Sequence, residues 1–170
     1  MASDRDWADG FLQQARADLE AAKQLALAAQ LTPTRASVVA MLLQMAFEKF
    51  AKAALLRSGA MTYESVKSSH KGASHMVRAM KIQRGLMAPM GGPLVWTTAF
   101  EVVEALERAQ PSLASGPQLE YPWDAGGGNI HWPGAHLPIA AKLANPKSKH
   151  LQFVLDFAAQ LDGKFTAIFP

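Results

Sequence analysis

Residues 32–59 read TPTRASVVAMLLQMAFEKFAKAALLRSG, and their spacing decides the fold. Thr32 is placed to cap a helix, Pro33 suits its first helical position, and Gly59 supplies the stop. Between them Val38, Val39, Leu42, Leu43, Met45, Ala46, Phe47, Phe50, Ala53, Ala54, Leu55 and Leu56 cover most of the circumference. A helix that is apolar nearly all round belongs at the centre of a bundle. Glu48 and Lys52 stand one turn apart, in the favourable order, on its narrow polar strip.

Helical periodicity extends outward on both sides, whereas alternating β patterns are nearly absent. Upstream, a helix starts near Ser3, with Asp6 in its first turn and the stripe Trp7, Phe11, Ala15, Leu19, Ala22, Ala26; Gly10 weakens it locally. Downstream, a short helix follows Ser68-Ser69-His70 with Ala73, Met76, Val77 and Met80 on its apolar face. A Gly/Pro-rich connection, Gly85 to Pro93, leads to a fourth helix that ends before Pro111. Val95, Ala99, Val102 and Leu106 point one way from it, and Glu101, Glu104 and Glu107 the other, as a solvated acidic ladder. Residues 111–145 read as a long irregular stretch. The last helix restarts at Asn145 and Pro146, with Leu151, Val154, Leu155, Ala158, Leu161, Phe165 and Ile168 facing the core. The expected fold is all-α: a four- to five-helix up-and-down bundle forming one domain over residues 1–170, with a long Pro/Gly-rich loop before the last helix.

Composition bounds the function classes. The chain has 170 residues, 49% of them hydrophobic, 18% charged and none cysteine. Without cysteine there is no disulfide framework, thiol nucleophile or thiolate zinc site. The aspartate-rich opening, MASDRDWADG, is unlike a secretory or transit leader, and the run Val38 to Met45 falls far short of the ~20 residues of a membrane span. The expectation is a cytoplasmic domain without membrane contact. Formal charge is +3, unevenly spread: residues 31–60 carry +3 and residues 61–90 carry +4, flanked by −2 over residues 1–30 and −3 over residues 91–120. Such a basic segment attracts phosphate or acidic partners without making the whole chain a general nucleic-acid binder.

Within that segment Lys71, His75 and Arg78 fall in a narrow arc of the third helix, with Lys81 beside it. Clustered donors of this kind suit phosphate or acidic-partner contacts, while the plainer reading is a solvated helix face. The loop offers Glu120, Tyr121, Asp124, Asn129, His131, Trp132 and His136, with Trp123 beside them, and two histidines and two acids are residue types that ligate metals. Its acids and histidines lack a recognised zinc spacing, and its aromatic rings read as anchors pinning the loop onto the bundle. Tyr121 and Trp123 are also candidates for an aromatic surface near the basic face. Gly126-Gly127-Gly128 lacks the Gly-Lys-Ser/Thr ending of a phosphate loop, and no Gly-x-Ser-x-Gly elbow occurs. No cofactor or metal is expected.

Two segments resemble HEPN domains. The run Phe11 to Ala22 is similar to their opening helix, with its Ala-x-x-Asp-Leu-x-x-Ala signature, and Gln44 to Leu56 to their second helix, with the Ala-x-Glu-Lys-x-x-Lys-Ala-x-Leu core. His70 to Met80 resembles the short His-led helix that often follows, and Tyr121-Pro122 a Tyr-Pro found late in many members. The resemblance implies a cytoplasmic helical bundle, usually homodimeric. Members act as ribonucleases, as partners of minimal nucleotidyltransferases in toxin–antitoxin and defence systems, or as nucleotide-associated modules. Ribonuclease members carry an Arg followed four to six residues later by His, and no arginine of this chain has a histidine at that distance. The resemblance therefore implies a noncatalytic member that binds a nucleotide, an RNA or a nucleotidyltransferase partner. Rival expectations are a divergent ribonuclease using His70, His75 or His131 with Arg78, and a structural protein-interaction domain.

Overall fold

The computed structural model describes residues 2–27, 31–70, 72–109 and 118–170, with Arg84 and Met87 described by their backbone alone. The fold is all-α, with one two-stranded hairpin. Its helices are α1 (Asp4–Leu27), α2 (Pro33–Arg57), α3 (Tyr63–Val66), α4 (Ala73–Ile82), α5 (Arg84–Met87), α6 (Gly92–Arg108), α7 (Pro133–His136), α8 (Pro138–Ala144) and α9 (His150–Ile168), and the hairpin pairs β1 (Trp123–Asp124) with β2 (Ile130–His131).

α2 is the central helix, as its composition requires. Thr32 Oγ1 accepts the Arg35 N–H, and Gly59 follows the helix end at φ 67°, a left-handed conformation that favours glycine. Val39, Leu43, Phe47 and Phe50 are fully buried. α1 runs antiparallel to α2, since Asp9 meets Arg57 while Asp18 meets Lys49. α9 runs in the same sense as α2: Phe157 packs on Phe47, Phe165 on Phe50, and Arg57 Nε donates to the Phe169 carbonyl. α6 opposes α9, with Trp96 against Phe157 and Glu101 toward His150. The four long helices thus alternate in direction along the chain, and α4 packs on α6 and α2 as a short fifth member.

Ser3 and Asp6 open α1 as expected, each side chain accepting the other's backbone N–H at 3.2 and 2.8 Å. The buried stripe of α1 is Ala8, Leu12, Ala15, Leu19 and Ala22; Trp7 is 40% exposed and stacks on Tyr63, with ring centroids 4.0 Å apart. α3 and α5 are single turns, α5 overlapping the Gly85 to Pro93 connection expected from sequence, and Met90 beyond it is fully buried.

The region read as one irregular loop is corrected most. Residues 110–117 lie outside the described residues, but 118–145 hold the hairpin, α7 and α8. The glycine triplet is the hairpin turn: Gly126, Gly127 and Gly128 all have positive φ, and Asp124 Oδ1 accepts the Gly126 N–H at 2.7 Å. α8 is held by burial of Leu137, Ile139, Ala140 and Leu143. The last helix begins at His150 rather than at Asn145, because Asn145 Oδ1 accepts the Lys147 N–H and closes a local turn instead.

Candidate functional site

The basic helix is positioned from its first residue. Gly72, at φ 150°, precedes α4, and Glu107 Oε1 accepts the backbone N–H groups of Gly72 and Ser74 at 2.9 and 3.1 Å. A carboxylate there satisfies donors that no helical carbonyl reaches and complements the helix dipole. Ala73, Met76, Val77 and Met80 are buried as the apolar spacing predicts, which turns His75, Arg78 and Lys81 to solvent. Lys71 lies outside the described residues.

The exposed cations of α4 have different surroundings. Arg78 Nη2 stands 3.5 Å from Glu104 Oε1, and its guanidinium lies 5.3 Å from the Phe100 ring centroid, with the side chain still 62% exposed. Glu104 is shared with Arg108 at 3.4 Å. The acidic ladder is therefore not merely solvated: Glu107 fixes the start of α4 and Glu104 partly neutralises its face. Glu101 lies 3.6 Å from His150 and 3.9 Å from Lys142. His75 sits at the edge of a hollow between α4 and α2. Exposed Ile82, at 78%, sits among these cations.

Tyr121 and Trp123 belong to the hairpin region, a different element. Tyr121 is 59% and Trp132 50% exposed, so neither pins the segment to the bundle. Trp123 is half-buried with its edge toward the His131 ring at 5.7 Å. His131 stacks on His136 at 4.2 Å, and His136 Nδ1 accepts the Trp132 N–H at 3.3 Å. The hairpin's rings thus form a cluster of their own rather than a platform for the anchoring role expected of them. Among the described residues no group of three or more His, Asp or Glu side chains is arranged to hold a metal ion.

The residues of the two helical signatures are committed to ion pairs inside the bundle. Lys49 Nζ donates to Asp18 Oδ2 at 2.7 Å, and Gln14 Nε2 donates to Asp18 Oδ1 at 3.0 Å. Lys52, itself buried, meets Glu48 at 2.9 Å and the Lys67 carbonyl at 3.2 Å; His70 Nδ1 reaches the other Glu48 oxygen at 3.2 Å. The Glu48–Lys52 pair was legible from its spacing. The Asp18–Lys49 pair was not, because it joins two helices.

His70 is thus spent on Glu48 and His131 on the hairpin. Among the described residues, no hydrogen bond or ion pair brings a histidine to Arg78. What the site offers is a cationic helix face with an exposed aliphatic side chain in it. Compared with family models, curated proteins and solved structures, the chain matches none.

Proposed function

We propose that this chain is a noncatalytic, HEPN-like helical module of the cytoplasm that works as a homodimer and holds a protein partner on the outer face of α4. The kind of partner the resemblance implies is a minimal nucleotidyltransferase of a toxin–antitoxin or defence system. The observation that supports a protein over a bare phosphate ligand is Ile82, 78% exposed among His75, Arg78 and Lys81. Phosphate contacts need only donors, whereas a protein interface joins apolar contact to complementary charge. No helix among the described residues is long and apolar enough to cross a membrane.

Coexpression with such a nucleotidyltransferase tests it. Ile82→Ser and the double variant Arg78→Glu/Lys81→Glu should each reduce copurification, and light scattering should give a mass near twice 18.3 kDa. An RNA or nucleotide ligand is the second reading, favoured by the run from Ser65 to Phe100, which holds five Lys or Arg and no Asp or Glu. In that case the double variant lowers the log–log salt slope of RNA binding by about 0.7 per lost single-strand contact, and Ile82→Ser leaves it unchanged. RNA cleavage by the purified chain, abolished by His75→Ala, would overturn the noncatalytic reading in favour of a divergent ribonuclease. Partner binding that survives both sets of changes would return α4 to a solvated face of a structural interaction domain.

A further inference from the structure

Between the C-terminal half of α2, α4 and Phe169 runs an apolar hollow of about 400 Å³. Small side chains create it: Ala51 and Ala54 of α2 and Ala79 of α4 line a seam that bulkier residues would have filled. Met76 and Met80 wall it on the α4 side. Phe169 borders it, fixed by the Arg57 Nε–H donated to its carbonyl at 2.9 Å and by ring contact with Phe165 at 5.0 Å. The volume lies in the range of sites for small organic ligands.

The polar groups of the wall are few. The Ser58 hydroxyl donates to the Leu55 carbonyl, and the Gly72 N–H is taken by Glu107. His75 and Gln83 remain, both exposed, and neither side chain has a hydrogen bond or ion pair with another described residue. His75 lies in the first half of α4 and Gln83 just beyond its end, with Ala79 between them. None of the lining residues is acidic, and the sequence holds no Asp or Glu between Glu64 and Glu101. The carboxylate beside the wall, Glu107, is already engaged by the Gly72 and Ser74 N–H groups, so an ammonium head finds no unspent carboxylate among the described lining residues. A carboxylate meets the side-chain N–H donors of His75 and Gln83.

We propose that this hollow binds a medium-chain aliphatic carboxylate, its chain lying along Ala51, Ala54 and Ala79 and its carboxylate accepting from His75, the ionisable side chain among the described lining residues. The hollow shares His75 with the outward face of α4, but its binding of a carboxylate does not depend on the partner reading.

Decanoate, titrated below its micellar concentration into the full chain by calorimetry, is the test. One-to-one saturable binding is expected, with decylammonium and butanoate each at least about tenfold weaker. Ala79→Trp, at an exposed position, should obstruct the hollow and weaken decanoate about tenfold or more, and His75→Ala should weaken it severalfold. Circular dichroism confirms that each variant is folded. Ala79→Val serves as a milder blocking variant should Ala79→Trp unfold. Absence of saturable decanoate binding overturns the proposal, as does equal binding of decylammonium or indifference to a folded blocking variant. Binding instead of a helical peptide built from Leu and Glu, lost in Ala79→Trp, overturns it in favour of a protein segment as occupant.

Discussion

α2 and α4 both interleave cations with apolar residues, yet the structure uses their charges in opposite ways. On α2, Lys49 and Lys52 are drawn into the bundle, where Asp18 and Glu48 neutralise them. On α4, His75, Arg78 and Lys81 face solvent, and the ion pair of this face with Glu104 is long and open to water. The difference lies in the neighbours. α1 covers the polar strip of α2 with an aspartate of its own, while among the described residues the outer face of α4 is met only at Arg78, by Glu104 and the Phe100 ring. A buried charge left without its partner is costly, whereas an exposed pair contributes little. Cations on α2 therefore hold the bundle together, and those on α4 stay at its surface.

The contrast can be broken by substitution. The largest effect is expected at Phe50, fully buried against Phe165 at 5.6 Å: Phe50→Ala should destabilise by about 3–5 kcal/mol in chemical denaturation. A loss under ~1 kcal/mol would remove α2 from the centre of the core. Next comes Asp18→Ala, which strips Lys49 and Gln14 of their acceptor. A cost of about 2 kcal/mol is expected, below that of a fully buried pair because Lys49 still reaches water. Were Asp18→Ala neutral, the pair would be no more structural than the charges of α4.

The double variant Arg78→Glu/Lys81→Glu should shift stability by less than ~1 kcal/mol while changing what the surface binds. A stability loss above ~2 kcal/mol would make the α4 face structural and erase the distinction. The smallest effect belongs to the start of α1. Hydrogen bonds from the Ser3 hydroxyl and backbone N–H hold the Asp6 carboxyl below the usual carboxylate range. Because the folded value is depressed, this contribution is present above the ordinary carboxylate range and is lost as pH falls through the lowered value. Measured against the intrinsic exchange rate at each pH, amide protection in the first turn of α1 should fall under acid in the native chain, and this fall should be lost in Asp6→Asn.

The long helices were legible because burial and periodicity coincide in them: Ala15, Leu19 and Ala22 on α1, or Ala99, Val102 and Leu106 on α6, repeat at the spacing of one buried face. α3 and α7 were not, since four residues show no period. Asn145-Pro146 carried a helix-start signal that a competing side-chain turn overrode. The acidic ladder shows the limit most clearly. Glu101, Glu104 and Glu107 look alike in sequence, yet one caps α4, one pairs with arginines and one faces His150, according to which element lies across from each.

By itself the sequence determined an all-α chain, the central place of α2, the caps at Ser3, Thr32 and Gly59, and the concentration of positive charge around α4. These are local matters of capping, helical spacing and composition, read along the chain without knowing what packs where. Only the tertiary structure decided that Asp18 neutralises Lys49, that Glu107 starts α4, that the loop aromatics gather on a hairpin apart from the basic face, and that alanines from two helices leave a hollow beside His75. Each of these joins residues far apart in sequence, and their energies depend on distance, burial and facing partners that only the packed chain supplies.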